Sequence, residues 1–249
     1  NGSLVIDDIE DSSPQRRNQA ALHVQYGLDI ALNTGNALYY LPQLLIQQAT
    51  LPEHAALQLY EAIQDELLHL HLGQAMDIYW HTHADIIITE EEYMRMCAGK
   101  TGGMARLAAR IGCIVGNASV EEGKAFIAYA TSLGIAFQIT DDVLNLTENV
   151  GKISGDDIAE GKKSLPLIHV LSRANPDEKK RLLELLAMHS NEQSVIDEVM
   201  VFVNKYDALS YAQKRAETIA QNAVRSLSTL PESQAKEHLK EFAQFAVHR

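Results

Sequence analysis

Proline and cysteine are scarce in this sequence, and their scarcity already limits what the chain can be. The sequence holds only six prolines among 249 residues, so long stretches are free to form helices, which proline interrupts. The two cysteines, Cys97 and Cys113, lack the spacing of a metal site and lie among apolar residues. We therefore expect reduced core cysteines, as is typical of a cytoplasmic protein.

The sequence also lacks a long apolar run and an excess of positive charge. No run reaches the roughly 18 apolar residues of a membrane-spanning helix, so we predict no membrane span. The formal net charge is −12, from 21 basic and 33 acidic residues, which argues against nucleic acid or an anionic membrane as a partner held by bulk charge. A phosphorylated substrate stays possible, because metal ions and a few local cations suffice to bind one.

Good helix formers dominate the sequence and predict an all-α protein. Thr89 and Glu92 form a capping box that predicts a helix beginning near Glu90, whereas residues 86–88 are typical of a short apolar connector. Three prolines mark breaks near the starts of further helices: Pro52, Pro176 and Pro231. Strand patterns are scarce and no low-complexity linker divides the chain. We predict one domain over residues 1–249, a bundle of about eight to ten helices.

The first acidic cluster, Asp7-Asp8-Ile9-Glu10-Asp11, is the sharpest local feature of the sequence. On a helix, Asp7 and Asp11 lie one turn apart on the same face. Their repulsion at about 5–6 Å costs roughly 3 kcal/mol at an effective dielectric of about 20, but under about 1 kcal/mol in water. The cluster is therefore either a solvated acidic face or, in a cleft, a site for a hard cation such as Mg²⁺.

A second acidic cluster, Asp141-Asp142 with Asn145 one turn later, follows a mostly apolar stretch over residues 134–139. These carboxylates therefore emerge from what we expect to be a buried helix. Arginine and lysine, which can hold phosphate oxygens, accompany both clusters. They are Arg16, Arg17, Lys100, Lys152 and Lys162. Two acidic clusters with cationic neighbours favour a site for metal ions and a diphosphate over two unrelated surface patches.

The motifs that carry a family resemblance extend over nearly the whole chain. They are Asp7-Asp8-Ile9-Glu10-Asp11, Arg16-Arg17, His23 with Tyr26-Gly27, Gly73-Gln74 with Asp77, Lys100-Thr101-Gly102-Gly103, Phe137-Gln138 with Asp141-Asp142, and Glu160-Gly161-Lys162. In content and order they resemble the trans-polyprenyl diphosphate synthases. Asp77-Ile78-Tyr79-Trp80, Thr89 to Tyr93 and Asn145 are most similar to the eukaryotic-type geranylgeranyl diphosphate synthases. The resemblance implies an isoprenoid synthase bundle around a central cavity, which condenses an allylic diphosphate with isopentenyl diphosphate.

The resemblance also implies a role for each motif residue. Asp7, Asp11 and Asp141 would hold Mg²⁺, three ions in all, with Asp8 and Asp142 in support. The allylic diphosphate would be clamped by Arg16, Lys100, Lys152 and Lys162. Thr101 and Gln138 would steady the allylic cation, Phe137 would flank the second substrate, and Arg17 would reach its diphosphate.

Product length is implied to depend on an apolar tunnel between the helices. Tyr39, Tyr40 and His71 resemble floor residues of the eukaryotic C20 synthases, although ordinary core packing would explain them as well. Gly2 and Ser3, before the first cluster, are too small to block the tunnel early. We therefore expect a C20 product and, from the resemblance, a homodimer.

The sequence departs from the family pattern in two places. Asn18 and Ala20 stand where the family has Gly and Pro, which predicts a less constrained loop after the arginine pair. The Lys, Arg and His or Gln that bind isopentenyl diphosphate upstream in the family do not precede Asp7. Because the chain starts at Asn1 and continues directly into apolar residues, we expect the natural protein to have further N-terminal helices.

Three alternatives stay open at this point. A class I terpene cyclase shares the fold and an Asp-rich first motif, although Asp141-Asp142 and the lysines favour chain elongation. A four-helix di-iron protein is suggested by Glu66-x-x-His69, a motif of which we find only one copy. A non-catalytic or regulatory subunit could have kept the fold and both clusters.

Two interpretations of Gln74 and Asp77 also stay open. They either form a hydrogen bond to another helix or orient Lys100.

Overall fold

The computed structural model describes residues 1–147 and 156–248. Within these ranges the chain forms twelve α-helices, a 3-10 helix (Leu227–Thr229) and one hairpin of the strands β1 (Gln15–Arg16) and β2 (Gln19–Ala20). The helices are α1 (Gly2–Glu10), α2 (Leu22–Tyr26), α3 (Leu28–Gln48), α4 (Glu53–Thr82), α5 (Glu90–Val115), α6 (Val120–Thr147), α7 (Asp156–Ala159), α8 (Leu165–Arg173), α9 (Pro176–Ala187), α10 (Gln193–Lys205), α11 (Ala208–Ser226) and α12 (Gln234–Val247).

The all-α prediction is confirmed, whereas the predicted number of helices was too low. The two short helices account for the difference, because α2 and α7 have five and four residues. A helix of one turn cannot show the apolar periodicity on which the prediction was based. The count of eight to ten therefore describes the longer helices alone.

The predicted start of α5 is confirmed at Glu90. The Thr89 hydroxyl accepts a hydrogen bond from the Glu92 amide at 3.2 Å, and the Glu92 carboxylate accepts one from the Thr89 amide at 2.7 Å. These bonds satisfy two donors that the first helical turn leaves without a partner. The three prolines also lie near helix starts, as predicted: Pro52 directly precedes α4, Pro176 is the first residue of α9, and Pro231 lies in the break just before α12.

Glycines let α4, α5 and α6 approach one another closely in the centre of the bundle. A Cβ atom at Gly73 of α4 would collide with the backbone nitrogen of Lys100 on α5. A Cβ atom at Gly134 of α6 would lie 2.6 Å from Cα of Gly102 on α5. Such contacts are sterically forbidden, so only glycine permits the observed helix spacing. The close spacing places Lys100 beside α4 and places its neighbours on α5 beside α6.

An alanine stripe on α11 supports α6 from behind. Its members recur at intervals of three or four residues, which places them on one helix face: Ala208, Ala212, Ala216, Ala220 and Ala223, all buried. Their small side chains let α11 lie close to α6. A separate apolar core joins α8, α9 and α10, and its largest fully buried side chains include Leu167, Leu171, Leu182, Leu185 and Leu186. The second acidic cluster thus sits on a helix that is fixed on two sides.

Within the described residues, no helix combines the length and the apolarity that a bilayer crossing requires.

Apolar side chains are exposed along α3. We define the exposed apolar surface of α3 as Leu28, Ile30, Tyr40, Leu41, Leu44 and Leu45, each between 48% and 69% exposed. Several exposed apolar side chains on one helix are typical of a face that contacts another protein surface.

Candidate active site

Both acidic clusters line one cavity of about 840 Å³. Asp7 and Asp11 reach it from α1, and Asp141 and Asp142 reach it from α6. Most of the other predicted site residues line the same space: Arg16, Arg17, Tyr39, His71, Lys100, Thr101, Phe137, Gln138 and Lys162. Sequence spacing alone could not show that residues so far apart in the chain meet, and their convergence is the central finding of the structure.

Asp7 is held by three side chains from three different parts of the chain. Arg16 on the hairpin donates to Asp7 at 3.2 Å, Gln74 donates at 3.2 Å, and the Lys100 ammonium lies 3.4 Å away. Burial tends to raise the pKa of the Asp7 carboxyl, but Lys100, Lys162 and Arg16 outweigh that effect and lower it. Asp7 is therefore an anion at neutral pH and is positioned to bind cations.

The carboxylate of Asp8 is paired with Arg16. It is buried, and its carboxylate accepts a hydrogen bond from Arg16 Nε at 2.8 Å while Arg16 Nη2 lies 2.5 Å away. Because the guanidinium covers this carboxylate, Asp8 orients Arg16 in the structure. Its predicted support of the metal ions stays a prediction.

Lys100 is fixed between the two helices that the glycines bring together. Its ammonium donates a hydrogen bond to Asp77 at 2.7 Å, which favours the interpretation that Asp77 orients Lys100. Burial tends to raise the pKa of Asp77, yet the charges of Lys100 and Lys162 lower it. Burial tends to lower the pKa of Lys100, but Asp77 and Asp7 raise it. The lysine is therefore a permanent cation held at the cavity wall.

Lys162 adds a second lysine to the cavity wall. Its ammonium donates to Asp11 at 2.9 Å, pairs with Glu160 and lies 3.9 Å from Asp157. These carboxylates raise the pKa of Lys162 despite its burial. Burial raises the pKa of Glu160 to about 7, even though Lys162 opposes the shift. The loop after α7 thus supplies one firmly charged cation and one carboxyl that titrates near neutral pH.

Asp142 lines the cavity, but its carboxylate is largely covered by neighbouring protein groups. It is 5% exposed and accepts hydrogen bonds from the Tyr93 hydroxyl at 2.6 Å, the Gln138 amide at 2.9 Å and the Leu165 backbone at 3.4 Å. Burial, followed by the nearby charge of Asp157, raises its pKa to about 7. With its oxygens occupied by protein donors, Asp142 supports other residues more readily than it binds a metal ion directly.

The hairpin after α1 explains the unusual residues beside the arginine pair. Arg17 and Asn18 form its tip, with φ values of 53° and 61°. Asparagine adopts this left-handed region more readily than most residues other than glycine. Asn18 therefore suits the turn in which the family has glycine, and the predicted loosening of this loop stays a prediction.

The predicted floor residues do not all lie at the cavity. Tyr39 and His71 line it, and their ring centroids are 5.2 Å apart. Tyr40 is 67% exposed and belongs to the exposed apolar surface of α3. Consecutive residues on a helix point about 100° apart, so a neighbouring pair rarely faces the same space. In this chain, Tyr39 and His71 are the better candidates for limiting chain length.

Asp157 escaped the sequence analysis, and one predicted residue lies outside the described ranges. Asp157 lines the cavity together with Glu10 and Asn145, which the two acidic clusters already contained, and Asn145 accepts a hydrogen bond from the Asp157 amide at 3.1 Å. The acidic pair at 156–157, just before the Glu160 motif, was a signal that could have revealed Asp157. Lys152 lies outside the described residues, so its predicted clamping role stays a prediction.

The donor set of the cavity suits a hard cation. Carboxylate oxygens converge without thiolate ligands, which favours an ion such as Mg²⁺ over softer metals. Asp7 and Asp11 already bind cationic side chains at 2.9–3.4 Å. Within the described residues, no three His, Cys, Asp or Glu side chains form a ready-made metal cage. The residues therefore fit ions that are shared with a phosphorylated substrate, as Mg²⁺ commonly is.

Glu66 does not support a di-iron centre. Its buried carboxylate lies 2.8 Å from Arg106 Nη2 and 3.3 Å from Arg110 Nη1. His69 is 3.9 Å from the same carboxylate and more than half exposed. Two guanidinium groups at the carboxylate would repel a metal cation, so the Glu66-x-x-His69 motif is better explained as packing between α4 and α5.

The fold and the site together define an all-α enzyme class in which two acidic clusters and several cations line one cavity. Comparison with known proteins agrees, because the family model for polyprenyl synthetase matches residues 1–203. The chain belongs to the polyprenyl synthetase family. It is 37% identical over 216 residues to geranylgeranyl pyrophosphate synthase 2 of Zymoseptoria tritici, covering 86% of this chain and 62% of that protein.

Solved structures show the same fold. The geranylgeranyl pyrophosphate synthetase of Pyrococcus horikoshii Ot3 matches with a TM-score of 0.91 and 33% identity, covering 100% of this chain and 76% of that one. A polyprenyl synthase from Caulobacter crescentus CB15, complexed with calcium and isoprenyl diphosphate, matches with a TM-score of 0.88 and 25% identity over 100% of this chain and 74% of that one. The predicted family and fold are thereby confirmed.

Proposed function

We propose that this chain is a magnesium-dependent prenyltransferase that condenses an allylic diphosphate with isopentenyl diphosphate to give geranylgeranyl diphosphate. The observation that carries the proposal is the convergence of both acidic clusters and four cationic side chains, Arg16, Arg17, Lys100 and Lys162, on one cavity. The names of its relatives support this chemistry. It stays a proposal because the chain spans 62% of the length of the first of them.

Asp7, Asp11 and Asp141 are the residues that would hold the metal ions, three if the family pattern applies. When bound, such ions neutralise a diphosphate and stabilise the charge that it acquires on leaving. The Caulobacter relative was solved with calcium and isoprenyl diphosphate, which supports a divalent ion and a prenyl diphosphate as ligands of the shared fold. The preference for magnesium is supported by the oxygen-only donor set.

The cationic side chains of this chain bind the allylic diphosphate. Arg16 offers a planar fork that matches phosphate oxygens, while Lys100 and Lys162 act as point charges. In the structure each of these cations forms an ion pair with a carboxylate. Arg16 pairs with Asp7, Lys100 with Asp77 and Lys162 with Asp11. A diphosphate can take over their hydrogen bonds without requiring a new cation to enter. Lys152 would complete this set.

The reacting carbons lie beside Thr101 and Gln138. Departure of the diphosphate leaves an allylic cation, which the double bond of isopentenyl diphosphate attacks, and the departing diphosphate accepts the proton that is then lost. The oxygen dipoles of Thr101 and Gln138 stabilise the transient positive charge. Phe137 lies on the same wall and flanks the second substrate, whose diphosphate Arg17 reaches from the hairpin tip.

The C20 product follows from the shape of the cavity and from the names of the relatives. Beyond the acidic clusters the cavity is lined by Ser3, Leu4, Ile6 and Leu70, with Tyr39 and His71 among the larger side chains. Small and aliphatic residues near α1 leave room for a growing prenyl chain. The pair of Tyr39 and His71, whose rings are tilted against each other, is a barrier at which growth stops.

We further propose that the protein acts as a homodimer through the exposed apolar surface of α3. Burying such side chains stabilises an interface by about 25 cal/mol per Å² of apolar area, and a second copy offers the same apolar surface in return. Light scattering of the purified protein coupled to size exclusion tests this proposal. The cytoplasmic location expected from the unpaired cysteines Cys97 and Cys113 stays a prediction.

The decisive experiment incubates the purified protein with Mg²⁺, labelled isopentenyl diphosphate and, separately, C5, C10 and C15 allylic diphosphates. We expect incorporation of label and accumulation of a C20 product, both abolished by EDTA. Consumption of an allylic diphosphate without incorporation of label would favour the terpene cyclase. Absence of any turnover, with the diphosphates still bound, would favour the non-catalytic subunit.

A further inference from the structure

We propose that Tyr93 is a positioning residue of the reaction, whose hydroxyl fixes Asp142 so that Asp142 in turn fixes the orientation of the Gln138 amide. This inference rests on the proposed prenyl transfer, in which Gln138 faces the developing cation. Tyr93 belongs to α5, whereas Asp142 and Gln138 lie one turn apart on α6. The pattern of the sequence gave Tyr93 no role in the site.

A continuous series of hydrogen bonds connects Tyr93 to the cavity. The Tyr93 hydroxyl donates to Asp142 Oδ2 at 2.6 Å, and Gln138 Nε2 donates to the other oxygen, Asp142 Oδ1, at 2.9 Å. The Thr101 hydroxyl then donates to Gln138 Oε1 at 2.6 Å. The series thus leaves α5 at Tyr93, crosses α6 and returns to α5 two helical turns later.

The series has a direction that follows from the chemistry of its members. When Asp142 is ionised its carboxylate only accepts hydrogen bonds, so the amide nitrogen of Gln138 then faces Asp142 and its oxygen faces Thr101. The Thr101 hydroxyl donates its hydrogen bond to that oxygen, so its own oxygen presents only lone pairs to the other groups around it. The negative ends of both dipoles are thereby available to a positive charge at the cavity wall.

Burial makes the Tyr93 hydroxyl difficult to replace. Tyr93 is 1% exposed and Asp142 is 5% exposed, so bulk water has little access to the bond between them. In such surroundings an unpaired polar atom is costly, and a hydrogen-bonded series acts as a unit. Without the hydroxyl, Asp142 Oδ2 loses its shortest bond, and the carboxylate can rotate and release the Gln138 amide.

Tyr93 is not among the residues that line the cavity in which the substrate would bind. Its side chain lines a small adjoining chamber of about 50 Å³, which it shares with Lys100, Gln138, Asp142 and Lys162 among others. An effect of Tyr93 on the reaction must therefore pass through Asp142. A flipped Gln138 amide would present its N–H groups to the cation, which would destabilise the transition state more than the bound substrates.

The test compares Tyr93→Phe with Tyr129→Phe. Tyr129 is a fitting control because it is also buried, at 4% exposure, and its hydroxyl also donates a single bond, to the Leu239 carbonyl at 2.7 Å on the far side of α6. We expect Tyr93→Phe to lower kcat by roughly 10-fold or more, on the scale of losing an oriented dipole, with KM for both substrates within about twofold. The control should keep kcat within about twofold.

Two further measurements keep the inference falsifiable. In a Gln138→Met background, Tyr93→Phe should have little additional effect on kcat, since both changes disable the same series. In ¹⁵N-labelled protein, the side-chain amide signals of Gln138, identified by their loss in Gln138→Met, should shift in Tyr93→Phe and not in Tyr129→Phe.

The outcomes separate this inference from the proposed function. An inactive wild-type protein would contradict prenyl transfer, and the Gln138 amide signals would then still decide whether Tyr93 orients that side chain. An active wild type with unchanged kcat in Tyr93→Phe, equal losses in both tyrosine variants, or unmoved Gln138 signals would each overturn the role of Tyr93.

Discussion

Lys162 donates a hydrogen bond to Asp11 over 2.9 Å and so joins the loop after α7 to the end of α1. The Asp11 side chain is only 4% exposed and that of Lys162 15% exposed. The two residues lie 151 positions apart in the chain. Because each charge is withdrawn from water, each depends on the other for its stability. Because Lys162 is also one of the proposed diphosphate ligands, the same residue serves both substrate binding and the stability of the folded cavity.

Lys162→Met should both destabilise the protein and impair its reaction. Removing one partner of a buried ion pair leaves the other charge uncompensated, which costs about 3–5 kcal/mol. We expect a loss of that order in urea unfolding and a fall in kcat/KM of about 100-fold, the scale for removing one charge-stabilising group.

Lys205→Met is the matched control for this change. Lys205 pairs with Glu178, but its side chain is 54% exposed. Exposed pairs typically contribute about 0–1 kcal/mol, so the control should change stability by less than about 1 kcal/mol and leave the reaction unaffected. Equal losses of stability in the two variants would contradict the special role of the Lys162–Asp11 pair.

Gly134→Ala should disrupt the contact between α5 and α6. The new Cβ would lie 2.6 Å from Cα of Gly102, so the helices must separate, at a cost of about 1–3 kcal/mol. The same separation would stretch the bond from Thr101 to Gln138, and we expect kcat to fall with it. Denaturant unfolding and steady-state kinetics measure the two effects.

Gly123→Ala on the same helix provides the comparison. A Cβ at Gly123 would meet no atom within 4 Å, so the substitution only restricts the unfolded chain. We expect a gain of about 0.4–1 kcal/mol and unchanged kinetics. If Gly123→Ala and Gly134→Ala behaved alike, the close approach of α5 and α6 would not depend on glycine.

The sequence was a good guide wherever one helix face carries the information. The spacing of Asp7 and Asp11, or of Gln74 and Asp77, follows from helical geometry and needs no knowledge of tertiary structure. The capping box at Thr89 is equally local. The family resemblance then supplied the association of the two acidic clusters, which periodicity alone could not provide.

Contacts between helices were beyond the reach of sequence patterns. Tyr39 and Tyr40 look equivalent in the sequence, yet only Tyr39 lines the cavity, because the rotation of α3 about its axis depends on what it packs against. Asp142 looks like a metal ligand until its three protein donors are seen. Tyr93 has no local signal, since its partner lies 49 residues away.

Lys163 stabilises the end of α4, and its removal should be visible in the pH dependence of folding. Its ammonium donates to the carbonyls of Trp80 and His83, both at 2.7 Å. Lys163→Met would leave these acceptors without that donor, at a cost of about 1–3 kcal/mol at neutral pH. Lysine near a helix C-terminus is favourable for the same reason.

The pH dependence has a definite sign. Burial lowers the pKa of Lys163 to about 8, whereas the unfolded chain has the ordinary value of 10.5. Between these values the unfolded state binds more protons than the folded state, so the contribution of Lys163 to stability rises as pH rises. The difference in unfolding free energy between wild type and Lys163→Met should therefore grow from about pH 8 to pH 10. A constant difference would show that Lys163 stays charged in the folded protein.

Tyr39→Ala should lengthen the product, whereas Tyr40→Ala should not. Tyr39 contacts His71 with tilted rings, 5.2 Å between ring centroids, and lines the cavity, so truncating it to alanine extends the space open to a growing chain. The adjacent Tyr40 is 67% exposed and offers a control with the same chemistry at the next position. Both proteins are incubated with the C15 allylic diphosphate and isopentenyl diphosphate, and the hydrolysed products are sized by mass spectrometry. We expect Tyr39→Ala to add at least one five-carbon unit to the main product. A longer product from Tyr40→Ala, with none from Tyr39→Ala, would place the floor at the exposed apolar surface of α3, where a second copy of the chain would have to supply the other wall.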